Sequence, residues 1–134
     1  MAALRILVVD DEPANREVAG VILSKLGHEV VLLENGAEAL ERCIEQGERF
    51  DLILMDILMP VLDGLEATRR LRAHNPTKDL PIVCVSARAS GSDKEAGMAA
   101  GCDYYLTKPY RRQDLIQALI DTIGPDAVPS QRST

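Results

Sequence analysis

Five short apolar runs, each ending on polar residues and each followed by a helix-like pattern, constrain this chain more than any other feature. They are Leu4 to Val9, interrupted only by Arg5, then Val30 to Leu33, Leu52 to Met55, Ile82 to Val85 and Tyr104 to Leu106. Runs this short suit strands covered on both faces rather than buried helices. Parallel strands joined by right-handed crossovers place helices on either side of the sheet. The pattern therefore predicts an α/β chain: a doubly wound, five-stranded parallel sheet with five helices.

The intervening segments carry helix signals. Pro13 suits a first turn, and Val18, Val21, Ile22 and Leu26 recur at helical spacing until Gly27. Asn35 with Glu38 resembles a capping box for a helix with Ala37, Leu40 and Ile44 inward, ended by Gly47. Met59-Pro60 stops regular structure after the third strand, and Asp63 with Glu66 caps a helix from about Gly64 to His74, with Leu65, Thr68 and Leu71 on one face. Ser92 with Glu95 is expected to cap a weaker fourth helix that contains Gly97 and stops at Gly101. Leu115, Ile116, Leu119 and Ile123 make the inward face of the last helix, which Gly124-Pro125 terminates. The expected organisation is one domain over residues 1–124, with a flexible tail or linker over 125–134.

Composition narrows the function classes. Fifteen Lys+Arg against 21 Asp+Glu give a net charge of −6, which disfavours attraction to phosphate backbones and anionic membranes. With no Trp, one Phe and three Tyr, base stacking is poorly supplied, so direct nucleic-acid binding is not expected. No apolar run approaches a bilayer span, and Met1 to Ala3 carry no basic flank of a signal peptide, so a cytoplasmic protein without membrane contact is expected. Cys43, Cys84 and Cys102 lack metal or disulfide spacing and read as buried small hydrophobes.

Chemistry concentrates where the strands end. Asp10 and Asp11 follow the first, Asp56 the third, Ser86 the fourth, and Lys108 lies just past the fifth. In open parallel sheets that rim is where ligands bind. Carboxylates converging there repel, since two unit charges about 4 Å apart cost about 4 kcal/mol at an effective dielectric near 20. Oxygen donors without His or Cys favour a hard cation, and a site that keeps waters suits Mg²⁺. A metal, a lysine and a hydroxyl are what a transferring phosphoryl group needs around its equatorial oxygens, which makes Asp56 the candidate nucleophile.

The acidic pair Asp10-Asp11, the Asp56 segment through Met59-Pro60 and Asp63-Gly64, Ser86-Ala87, and Tyr105 three residues before Lys108-Pro109 resemble the receiver domain of two-component response regulators, along nearly all of the chain. The resemblance implies a flavodoxin-like strand order 2-1-3-4-5. It also implies that Asp56 accepts phosphate from a histidine kinase or histidine phosphotransfer protein. Asp11, Asp56 and the backbone carbonyl of Leu58 would bind Mg²⁺, and Asp10 would act through water. Lys108, Ser86 and the Ala87 backbone would contact the phosphoryl group, the Lys108-Pro109 bond would be cis, and Ser86 and Tyr105 would form a switch pair. A protein of this kind assists its own phosphorylation and dephosphorylation and is otherwise not an enzyme. Leu58 and Arg88 stand where family members vary with effects on phosphoryl lifetime.

Plainer readings stand beside these. The acids at 10–12 alone could be a solvated helix cap, Ser86 an ordinary loop hydroxyl and Tyr105 a half-buried strand residue. His28-Glu29 lies in a short turn and reads as a solvated histidine, and His74 as a cation at a helix end. Two alternatives remain: a haloacid-dehalogenase-like, Mg²⁺-dependent phosphohydrolase using an acid after the first strand, and a degenerate receiver used only as a binding module. Glu12 is an imperfect stand-in for the second acid of such hydrolases.

Overall fold

Every residue of the central strand, β3 (Leu52–Asp56), is buried, and the remaining strands assemble outward from it in this computed structural model. The structure describes residues 3–59 and 62–127. The other strands are β1 (Arg5–Val9), β2 (Glu29–Leu33), β4 (Ile82–Ser86) and β5 (Tyr104–Thr107). All neighbouring pairs are parallel, and the order is β2-β1-β3-β4-β5, the order that the resemblance implied.

Side-chain alternation along the strands sorts the core into two layers. Ile6, Val8, Leu52, Leu54, Val83, Val85 and Leu106 face α1 (Pro13–Lys25) and α5 (Arg112–Thr122). Leu7, Val9, Ile53, Met55, Ile82 and Cys84 face α2 (Gly36–Leu40) and α3 (Gly64–Ala73). The shorter α4 (Gly91–Ala100) packs against α3 and β5. All three cysteines are free and buried, as small hydrophobes would be.

Several local expectations shift. The buried side of α1 is Ala19, Gly20 and Leu23, continuing to Leu26, whereas Val18 and Val21 are 55% and 52% exposed. Small residues win because the helix lies close to the sheet: a Cβ on Gly20 would sit 3.2 Å from the Leu32 side chain. The cap of α4 is Ser90, not Ser92, since Ser90 Oγ accepts from Asp93 N–H at 3.1 Å and donates to Asp93 Oδ2 at 2.6 Å. Asn35 caps α2 as expected, but Glu38 reaches back to Glu34 N–H (2.8 Å). After Leu40 the helix widens into a π turn, Glu41–Glu45, before Gly47 ends the segment.

His28 is not solvated but 6% exposed: its Nδ1 accepts from Leu4 N–H (3.0 Å) and its Nε2 meets the Ala127 carbonyl (2.6 Å). The packed chain accordingly runs past Gly124, through a 3₁₀ turn at Pro125–Ala127 whose last residue is 1% exposed. The remainder of the expected tail, 128–134, the Pro60 breaker with Val61, and Met1-Ala2 lie outside the described residues. Among the described residues no helix is long and apolar enough to cross a membrane.

Arg72, near the end of α3, joins three segments that the sequence leaves unconnected. Its guanidinium donates to the carbonyls of Gly101 (2.8 Å) and Leu80 (2.6 Å) and pairs with Asp103 (2.9 Å). This ties the turn before β5 to the start of β4. Gly101 is held at φ +116°, where a Cβ would stand 2.6 Å from Arg72 Cγ, so both conformation and space require glycine.

Candidate functional site

Strand ends deliver the acids to one point. β1 stops at Val9, β3 stops at Asp56, and one carboxylate oxygen from each of Asp10, Asp11 and Asp56 can lie within 4.8 Å of the others. Lys108, from the turn after β5, bridges two of them, donating to Asp10 Oδ2 at 2.9 Å and Asp56 Oδ2 at 3.1 Å. The Lys108-Pro109 bond is cis, as the resemblance implied. The lysine backbone is fixed as well, because its N–H donates to the Ser86 carbonyl at 2.7 Å.

The surroundings of Asp56 are tight. Its Oδ1 accepts from Leu58 N–H (3.2 Å), and the start of α3 presses on its backbone: a Cβ at Gly64 would lie 2.2 Å from the Asp56 carbonyl oxygen. That closeness explains the glycine after the Asp63 cap. Asp63 accepts from Glu66 N–H at 2.9 Å, and Thr68 Oγ1 donates to the Gly64 carbonyl at 2.7 Å, so the first turn of α3 is tied down from two sides.

Burial pushes the Asp56 carboxyl up to about 6. The nearby Lys108 charge opposes that rise, and the Asp10 charge adds to it. Burial also works against the Lys108 ammonium, but its hydrogen bond to Asp10 and the charges of Asp56 and Asp10 outweigh burial and raise its pKa. Tyr110, beside the lysine, is pushed up to about 12 by burial and then by the Asp10 charge. One ammonium thus faces three acids, of which Asp11 is exposed and makes no ion pair among the described residues.

The donor set fits a hard divalent cation. It offers carboxylate oxygen only, in excess of the available positive charge, with one acid open to solvent. The two oxygens of Asp10 are already engaged, Oδ1 by Glu12 N–H at 2.9 Å and Oδ2 by Lys108. The two oxygens of Asp56 are engaged in the same way, Oδ1 by Leu58 N–H and Oδ2 by Lys108, so at either acid a cation would share or displace these donors.

The rim residues do not all meet. Continuing the strand alternation, Asp10, Asp56 and Lys108 share the parity of the α1/α5 face, whereas Ser86 and Tyr105 share that of the α2/α3 face. Ser86 is 1% exposed, and its Oγ accepts from Arg88 N–H at 3.1 Å. Tyr105 is farther out and donates its hydroxyl to the Arg88 carbonyl at 2.8 Å. These two line a groove of about 200 Å³ with Leu58, Asp63 and Arg88, while Ala87, Lys108 and Pro109 line a neighbouring cleft with Glu12 and Val18.

Sequence reasoning missed Arg16 and Tyr110. Arg16 Nη1 donates to the Asp10 carbonyl at 2.7 Å and so steadies the acidic turn from α1. No local pattern distinguishes it from any other surface arginine. Tyr110 follows Lys108-Pro109 directly, so position alone could have flagged it.

The response regulator receiver domain profile matches residues 6–120. The chain belongs to that family. Among its relatives, the response regulator MprA of Mycobacterium leprae is 44% identical over 126 residues, which cover 92% of this chain and 54% of that protein. The sensor protein GacS of Pseudomonas syringae is 40% identical over 125 residues, covering 91% of this chain but 14% of that protein. The chain thus spans about half the length, or less, of these relatives. Among solved structures, the receiver domain of the Pseudomonas aeruginosa sensor histidine kinase PA1611, with magnesium coordinated in its active-site cleft, is 39% identical with a TM-score of 0.83, covering 92% of this chain and 99% of that one. The chemotaxis protein CheY4 of Vibrio cholerae is 32% identical with a TM-score of 0.85, covering 91% and 100%.

Proposed function

We propose that Asp56 is a phosphoacceptor that takes a phosphoryl group from a phosphohistidine of a kinase or phosphotransfer protein, with Mg²⁺ bound by Asp11, Asp56 and the Leu58 carbonyl and with Asp10 acting through water. The observation that carries this reading is the buried Asp56 carboxylate in contact with Lys108 and within reach of two further acids. Bound there, Mg²⁺ supplies the charge that offsets the carboxylates and the incoming phosphoryl oxygens.

The protein's own groups do the rest. An Asp56 oxygen forms the new bond to phosphorus as the phosphorus–nitrogen bond breaks, its electron pair returning to the donor imidazole. Lys108, held between Asp10 and Asp56, is positioned to take the added negative charge of the phosphoryl oxygens. The Ala87 backbone and the Ser86 hydroxyl contribute further donors.

Ser86 and Tyr105 are the switch. Both engage the same residue, Ser86 the N–H and Tyr105 the carbonyl of Arg88. When Ser86 Oγ turns to the phosphoryl group it leaves Arg88 N–H, the 87–90 segment loosens, and Tyr105 loses its fixed acceptor. Phosphorylation biases this pair by its differential interaction with the two arrangements. The face of α4, β5 and α5 then changes for an output partner, or the phosphoryl group passes on along a relay. On this reading the protein assists its own phosphorylation and dephosphorylation without turning over external substrates, and it works in the cytoplasm. The test is incubation with a radiolabelled phosphohistidine donor: label should enter the wild type only with Mg²⁺ and should be absent from Asp56→Asn. Equal labelling of that variant would refute the assignment.

A further inference from the structure

The pole opposite Asp56 holds a buried histidine that the phosphoryl chemistry does not use. His28 sits in the turn between α1 and β2, 6% exposed, with both ring nitrogens engaged. Leu4 N–H donates to Nδ1 at 3.0 Å, so Nδ1 carries no proton. A neutral ring then has its proton on Nε2, which donates to the Ala127 carbonyl at 2.6 Å. His28 N–H is itself bonded to the Leu23 carbonyl, and Glu29 N–H to that of Leu4, so the ring is mounted on a rigid corner.

The other side of the contact is equally defined. Ala127 is 1% exposed and belongs to the core layer formed with α1 and α5, and its N–H donates to the Gly124 carbonyl at 3.0 Å. Gly124, at φ +130°, turns the chain out of α5 and into the Pro125–Ala127 turn. One imidazole therefore joins the segment entering β1 to the segment leaving α5.

From this geometry we infer that His28 is a clasp for the protein's own post-α5 segment, so that whatever follows Ala127 starts from a fixed point beside the entry to β1 rather than from a loose tail at Gly124. The clasp makes 125–127 a mechanical part of the domain.

Two substitutions separate the halves of the clasp in the full chain. In His28→Asn the amide oxygen stands near the place of Nδ1 and keeps an acceptor for Leu4 N–H, but nothing reaches Ala127. In His28→Gln the amide nitrogen stands near the place of Nε2 and keeps the donor to Ala127. Amide hydrogen exchange read by NMR should show Ala127, whose N–H stays on the Gly124 carbonyl and so reports opening of the Pro125–Ala127 turn, exchanging about tenfold faster in His28→Asn with Leu4 little changed, and Leu4, which loses its own acceptor, exchanging about tenfold faster in His28→Gln with Ala127 little changed. The wild-type ring should show its proton on Nε2 in two-bond nitrogen–proton spectra, a readout that holds even if a variant unfolds. Equal Ala127 protection in all three proteins would overturn the clasp, leaving burial of the alanine methyl as the anchor. A wild-type proton on Nδ1 would overturn it independently.

Discussion

Removing the charge of Asp56 should stabilise the metal-free protein. The carboxyl has an ordinary value of 3.8 and is pushed up to about 6, chiefly by burial. The folded state therefore binds its proton more tightly than the unfolded chain does, and stability falls as pH rises through the window between these values. At about 1.36 kcal/mol per unit, the ceiling on this cost above pH 7 is ~3 kcal/mol. Asn keeps an oxygen for Lys108 but not the charge-assisted part of that bond, which reduces the expected gain for Asp56→Asn to about 1–2 kcal/mol. Urea unfolding in EDTA at pH 7.5 and pH 4 measures it: the variant should be more stable at the higher pH, with the gap narrowing at the lower. Saturating Mg²⁺ should stabilise the wild type more than the variant, by mass action. If Asp56→Asn is less stable in EDTA at pH 7.5, burial does not dominate the energetics of this carboxylate.

Other expectations follow from single contacts. Asp11→Ala should weaken Mg²⁺ binding in calorimetry while leaving metal-free stability within about 0.5 kcal/mol, because the side chain is exposed and makes no ion pair among the described residues. Unchanged Mg²⁺ affinity would remove Asp11 from the metal site. Gly64→Ala should cost about 1–3 kcal/mol in urea unfolding, since its Cβ would meet the Asp56 carbonyl at 2.2 Å and the backbone would have to move. A neutral result would mean that the start of α3 yields freely. Ser86→Ala should bind beryllofluoride as a phosphoryl mimic yet blunt the change in amide exchange from residue 86 to residue 110. A full wild-type response would take Ser86 out of the switch.

The strands and the rim were legible because their causes are local. A strand covered on both faces must be apolar throughout, and a carboxylate ending such a run, as Asp56 ends β3, has few structural reasons to be there. What escaped was set by tertiary partners. The inward face of α1 follows Ala19 and Gly20, because close approach to Leu32 matters there more than the hydrophobicity of Val18 and Val21. Ser92 with Glu95 has the capping-box spacing, but the helix already starts at Gly91, so Ser90 stands at the cap and Asp93 takes the third position. His28 looked like a turn residue because its partners, Leu4 and Ala127, lie 24 and 99 residues away. The division of the rim into an Asp10-Asp56-Lys108 side and a Ser86-Tyr105 side was implicit in strand parity, but it needed the exact strand ends to be read.

The proposed function stands or falls with Asp56 as the residue that carries the phosphoryl group. Chemical trapping tests it most directly: after phosphotransfer with Mg²⁺, borohydride reduces an aspartyl phosphate to homoserine, and peptide mass spectrometry locates the change. Homoserine should appear at position 56 alone and be abolished by EDTA. Trapping at Asp10 or Asp11, or an acid-stable phosphate on a hydroxyl side chain with position 56 unmodified, would contradict it.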